Sequence, residues 1–184
     1  VGGADDAVYG VDSLLDRIYD VSGTDTVESS IGWTLQLRLE NLVLVGAEAI
    51  DGVGNAQNNI LDSSQNSAAN VLTGGAGNDR YVVGSGDSVF EQAGAGFDEV
   101  LSTDSLTLSA NVEQGILLGA MNAQLVGNAL DNRHNGNDGD NLIDGGAGDE
   151  TMECGAGNDT DSVARRAGSV QREWKRRANG EGGA

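Results

Sequence analysis

Large apolar residues recur along this chain once in every nine positions, each set behind a glycine-rich polar stretch. Gly74-Gly75-Ala76-Gly77-Asn78-Asp79-Arg80-Tyr81-Val82 shows the unit in full, with Tyr81 at its eighth, apolar position. Frames opening at 127, 136, 145 and 154 follow without a slip and place His134, Ile143, Met152 and Asp161 there, the last breaking the apolar rule. Frames at 54, 65, 74, 83 and 93 place Leu61, Leu72, Tyr81, Phe90 and Val100, with residues 63, 64 and 92 as insertions. Weaker frames open at 2, 11 and 20.

A nine-residue unit of this kind predicts a turn followed by a short strand. Glycine admits the left-handed backbone angles of the first six residues, and the last three extend with the apolar side chain inward. Two units make one coil of a flattened solenoid. Stacked coils pair their strands in parallel and bury a ladder of apolar residues that no single unit could bury. The expected class is therefore all-β, a right-handed parallel β-roll or β-helix solenoid. The alternation in Trp33-Thr34-Leu35-Gln36-Leu37-Arg38-Leu39 predicts a half-buried strand, and Ile116-Leu117-Leu118 a further coil.

A longer repeat lies over the short one. Residues 23–59 align with 96–132 without a gap, and Gly2 to Tyr9 aligns with Gly74 to Tyr81 at a shift of 72 instead of 73. This divides the solenoid, residues 1–162, into units 1–73 and 74–145 with terminal nonapeptides to 162. Residues 163–184 form a separate basic tail, expected to be disordered or a short helix.

Composition sharpens the picture. Glycine contributes 29 of 184 residues, proline none, and aromatics only 4%, so the core is lean. The net charge of −19 argues against nucleic acid or an anionic membrane and makes cations the natural counterpart. The tail carries +4 against −23 for residues 1–162, with Arg165, Arg166, Arg172, Lys175, Arg176 and Arg177 around Trp174. One cysteine, Cys154, excludes an internal disulfide framework, and no apolar run is long enough for membrane insertion. Residues 1–10 show no signal peptide, so export is expected by another route.

The nonapeptides resemble the calcium-binding repeats of the repeats-in-toxin (RTX, hemolysin-type) proteins. The longer unit, with Tyr81-Val82-Val83, Gly96-x-Asp98-x-Val100 and Val112-Glu113-x-x-x-Leu117-x-Gly119, is similar to extended repeats of large secreted bacterial proteins of that type. The resemblance implies Ca2+ held between turns of successive coils by the sixth-position Asp and neighbouring backbone carbonyls. Carried onto this chain, it pairs Asp79 with Asp98, with Gly75, Gly77, Ala93 and Ala95 as carbonyl donors. It pairs Asn141 with Asp159 and Asn132 with Glu150, and sets Asn59 opposite Asp79. In the first copy Ala7 faces Asp25, so one carboxylate is missing and little or no binding is expected there. The Asn positions have an alternative use, hydrogen bonding to the neighbouring coil without metal.

The resemblance implies a non-catalytic calcium-binding module that folds on binding Ca2+, part of a secreted or surface protein exported by a type I-like route. Calcium ions are the expected partners, and open solenoid ends make end-to-end self-association or packing on parent-protein domains an expectation as well. The alternatives are a metal-independent structural or adhesive spacer and a carbohydrate-active lyase or epimerase using Tyr81, Arg80 or His134. His134 is expected at a degenerate core or edge position instead of acting as a catalytic base, because no second histidine or activated nucleophile accompanies it.

Overall fold

The computed structural model describes residues 3, 5–162 and 174–175. Among them there is no helix: the chain is all-β, built from short parallel strands stacked as a β-solenoid. Two compact units are distinguished, Val1–Leu101 with Ser109–Val112 and Ser102–Leu108 with Glu113–Ala184.

The first unit carries β1 (Val8–Val11), β2 (Thr26–Ser29), β3 (Trp33–Thr34), β4 (Asn41–Gly46), β5 (Gly52–Val53), β6 (Ile60–Asn66), β7 (Val71–Thr73), β8 (Arg80–Val83), β9 (Ser88–Phe90) and β10 (Glu99–Ser102). One sheet runs β1-β2-β4-β6-β8-β10 and the facing one β3-β5-β7-β9. From β2 onward the chain mostly alternates between the two sheets, as a solenoid requires.

The second unit carries β11 (Leu106–Thr107), β12 (Gln114–Leu117), β13 (Gln124–Val126), β14 (Arg133–Asn135), β15 (Leu142–Asp144), β16 (Thr151–Glu153), β17 (Thr160–Ser162) and β18 (Trp174–Lys175). Its sheets run β12-β14-β16 and β11-β13-β15-β17-β18, all parallel except the last pair. Leu125 pairs with Ile143 and Ile143 with Asp161, so each coil here takes two nonapeptides. The tail expectation falls outside the described residues, apart from Trp174–Lys175.

The core is the ladder that the nine-residue spacing predicts. Val27, Leu42, Leu61 and Tyr81 pair in consecutive strands and are fully buried. Leu72, Leu125, Ile143 and His134 are buried likewise. Gly52 lets this core close: a Cβ there would stand 3.0 Å from methyl groups of both Leu42 and Leu72.

Two local expectations are corrected. Phe90 is 58% exposed, and its neighbour Val89 faces inward opposite Leu72. The reason is Asp87, whose carboxylate accepts the Gly84 and Asn70 N–H groups and so takes the sixth place of this turn one residue early. Residues 33–39 form only the two-residue β3. Arg38 adopts φ 77°, and Leu37 swings out while Leu39 turns back into the core. The expected insertion at 63 and 64 is a bulge, where the β4/β6 register shifts between Val43 and Val45.

Removing one rung tests the ladder. Leu61→Ala should cost about 2–5 kcal/mol in chemical unfolding, from lost transfer energy plus a cavity between two rungs. Leu37→Ala, at an exposed turn, should change stability by less than about 0.5 kcal/mol.

Candidate metal centre

Successive coils share a recurring contact at the sixth turn position. The N–H of Asp79 donates to Asp98 Oδ1 at 2.8 Å, and the N–H of Asn59 to Asp79 Oδ1 at 2.7 Å. Asn141 donates to Asp159 Oδ1 at 2.9 Å and Asn132 to Glu150 Oε2 at 3.0 Å. The structure thus brings together every pair that the sequence sets opposite one another. In each case the contact is backbone N–H to carboxylate, with one coil's spacing between the partners.

The turn at 74–79 can stack this closely because Gly75 and Gly77 hold φ of 106° and 118°. A Cβ on Gly77 would come 2.6 Å from Gln57 O, and one on Gly75 would overlap Asn55 O. Gly77 also donates its N–H to Ala95 O at 2.9 Å, so that predicted carbonyl already ties two turns together. Ala93 lies on the exposed side of its turn.

Inside the turn the side chains converge. Asp79, Glu91 and Asp98 are all buried and each offers a carboxylate oxygen within 4.8 Å of the others. Tyr81, two residues after Asp79 and therefore on the same inward face, donates its hydroxyl to Glu91 Oε1. Asp79 Oδ2 is buried without a hydrogen-bond partner. Gly74 leaves the space above this cluster open: a Cβ there would overlap the Asp79 and Tyr81 oxygens and sit 2.5 Å from Glu91 Oε1. Arg80 points away, pairing with Glu99 at 3.2 Å.

The electrostatics follow from three acids sharing a dry site. Burial pushes the Asp79 carboxyl up to about 7; the Asn59 N–H bond opposes this and the Asp98 and Glu91 charges add to it. Burial likewise raises Glu91 and Asp98 above the usual carboxylate range. The cluster is short of positive charge, which a proton or a cation can supply. Its chemistry fits calcium, which takes hard oxygen ligands at about 2.3–2.6 Å, so that two ligands of one ion stand no more than roughly 5 Å apart. The set contains neither nitrogen nor sulfur.

The asparagine turns are arranged differently. Asn59 Oδ1 accepts the Asn55 N–H, and its Nδ2 donates to Leu39 O and Glu40 O of the preceding coil. Asn132 and Asn141 likewise accept from Asn128 and Asn137 within their own turns. Asn55 and Asn137 go further, each placing Nδ2 between two carbonyls of the preceding coil. An amide there presents donors where a carboxylate turn would need a cation. Glu150 instead faces His134, with Nδ1 and Oε2 3.7 Å apart; burial raises the acid and lowers the histidine.

Sequence reasoning missed Glu91 and the role of the Tyr81 hydroxyl. The available signal was the long repeat: Tyr81, Glu91 and Asp98 echo Tyr9, Asp20 and Asp25, where the Tyr9 hydroxyl likewise donates to Asp20. As for a catalytic groove, Tyr81 and His134 are both fully buried and face no open surface.

The family model of the RTX calcium-binding nonapeptide repeat matches residues 66–90 and 126–161, as four copies. No curated protein and no solved structure matched the chain.

The raised carboxyls predict a pH dependence for the metal-free chain. Asp79 holds its proton up to about pH 7 when folded, against 3.8 as its ordinary value, so the folded state binds more protons between those limits. Stability in chelator should rise as pH falls from 8 toward 5, and the gain should be lost as pH climbs through 7. Glu91 and Asp98 act in the same direction, while His134, lowered by burial, opposes them below about pH 6.5. Urea midpoints measured across this range should show the rise in wild type and a flatter profile in Asp79→Asn.

Proposed function

We propose that this chain, a carrier of RTX calcium-binding nonapeptide repeats, is a non-catalytic module whose solenoid is completed by Ca2+ after export. The observation that carries the reading is the buried Asp79, Glu91 and Asp98 cluster, whose carboxylate oxygens converge within 4.8 Å and which includes an Asp79 oxygen without a hydrogen-bond partner. Asp79, Asp98 and Glu91 would hold the ion, assisted by backbone carbonyls of the two turns, among them Gly75, Gly77, Ala93 and Ala95. Bound there, calcium would supply the positive charge that three buried carboxylates lack. Asn141 with Asp159, Asn132 with Glu150, and Asn59 beside Asp79 are secondary positions in the same scheme.

The chain's own residues provide the coupling. Asp79 and Asp98 each accept a backbone N–H of the preceding coil, so drawing the carboxylates together also sets strand register. Without a counter-charge the acids repel and the lean ladder must offset them. An ion at about a hundred times its dissociation constant adds ~2.7 kcal/mol per site. RTX repeats typically occur in secreted bacterial proteins, and the difference between cytoplasmic and external calcium would time folding to export. Among the described residues no helix is long and apolar enough to cross a membrane. The outer edge of β1 ends its sheet and is where end-to-end self-association would be sought.

A second reading, a spacer that folds without metal, has its own support in the amides of Asn55, Asn59 and Asn137, which bridge coils through neutral hydrogen bonds.

Far-ultraviolet circular dichroism during calcium titration of the chelated chain separates the two. A gain of β signal with calcium, weakened in Asp79→Ala and in Asp98→Ala, is expected. A full β spectrum in chelator that calcium leaves unchanged would sink the proposal in favour of the spacer.

A further inference from the structure

The family model leaves residues 1–65 unmatched, and in this part of the chain the sixth-position partner of Asp25 is Ala7, which has no ligand to give. The structure nevertheless builds a second acidic site here from a residue outside the nonapeptide pairing. Asp25 is fully buried, and its Oδ1 accepts the Ala7 N–H at 2.9 Å, as Asp98 Oδ1 accepts that of Asp79. Asp20 takes the place that Glu91 holds in the other copy, with Oδ1 accepting the Tyr9 hydroxyl at 2.9 Å. Both remaining oxygens, Asp20 Oδ2 and Asp25 Oδ2, are buried without a hydrogen-bond partner. The two carboxylates lie against one another, close enough to share a proton, and face one another as acceptors when both are ionised.

The neighbours do not relieve this charge. Glu40 adds a further carboxylate, its Oε2 accepting the Asp25 N–H at 2.9 Å. Arg17 donates to Leu14 O and Asp16 O, and the Arg38 guanidinium to Val21 O. Gly23, with φ 133°, lets its turn pack on the preceding one, since a Cβ there would stand 3.0 Å from Asp5 O.

We infer that Asp20 and Asp25, with Tyr9 orienting Asp20, form a second and weaker site for a calcium-sized divalent cation. The choice of ion rests on the calcium reading of the Asp79 centre; the site itself rests on the two unpartnered oxygens. Two facing carboxylates balance one divalent charge, whereas the Asp79 centre brings three within 4.8 Å. The second site should therefore fill at a higher concentration, by about tenfold or more. A hydroxyl hydrogen-bonded to a ligand also makes each site readable on its own, since a tyrosine this near a bound terbium ion transfers its excitation to it.

The test uses the full chain, titrated with calcium by calorimetry and with Tb3+ by luminescence excited through tyrosine. Wild type should show two classes of site. Asp25→Asn and Asp20→Asn should each remove the weaker class and keep the tighter one, with an unchanged β spectrum showing that the chain still folds. Asp98→Asn should do the reverse. Tyr9→Phe should cut the terbium emission of the weaker class severalfold while retaining the tighter class. A weaker class that survives both Asp25→Asn and Asp20→Asn, or a single class lost only in Asp98→Asn, overturns this inference and leaves the Asp79 reading standing. Absence of binding to wild type overturns both.

Discussion

One hydrogen bond sets the terms for this solenoid: the carboxylate at the sixth turn position accepting the N–H of the residue one coil earlier. It recurs at Ala7 with Asp25, Asn59 with Asp79, Asp79 with Asp98, Asn132 with Glu150 and Asn141 with Asp159. The bond keys each turn onto its neighbour and so sets the parallel strand register that follows. It also buries the acid, and at Asp25, Asp79 and Glu150 it leaves the second oxygen buried without a hydrogen-bond partner. A charge-assisted bond of this kind contributes roughly 1.5–3 kcal/mol, while the desolvation of an uncompensated carboxylate costs several. The stacking interaction therefore creates the need for a counter-charge.

The chain meets that need in different ways in different turns. Around Asp79 three carboxylates gather, and protons or a cation can compensate them. Around Asn59, Asn132 and Asn141 the acid of the earlier turn is replaced by its amide, which keeps the turn closed and adds donors toward neighbouring backbone and side-chain oxygens. Glu150 faces the buried His134 at 3.7 Å without a hydrogen bond, so that turn keeps an acid whose second oxygen is unpartnered. These choices divide the repeats into turns that gather buried acids and turns closed by neutral amides.

How much of this was legible in the sequence depends on which spacing carries the information. Burial of Leu61, Leu72, Tyr81, His134 and Ile143 follows directly from counting in nines, because side-chain direction and coil length are both tied to that period. The Phe90 position failed because Asp87 closes its turn one residue early, a choice made by hydrogen bonding that residue type alone does not reveal. The turn at Arg38 was hidden in the same way, since Leu35, Leu37 and Leu39 alternate like a strand while the backbone does not. Glu91 was missed because its place relative to Asp79 and Asp98 is set by where β9 ends and the next turn begins. The trace was the Tyr9, Asp20 and Asp25 echo, blurred because the two acids stand five residues apart in one copy and seven in the other.

Tyr81 joins the two halves of the argument. Its ring is a fully buried rung of the apolar ladder, paired with Leu61, and its hydroxyl holds the Glu91 carboxylate that completes the acidic cluster. Phenylalanine would fill much the same volume but would leave Glu91 Oε1 without that donor, so the hydroxyl is what the site adds to the core. Because one residue serves both, Glu91 cannot be oriented until the ladder has closed around the ring. The ladder, in turn, cannot close without bringing Asp79, Glu91 and Asp98 together. Burial of the core and gathering of the acids are thus one event in this unit, which is what would couple folding to a cation under the calcium reading proposed for it.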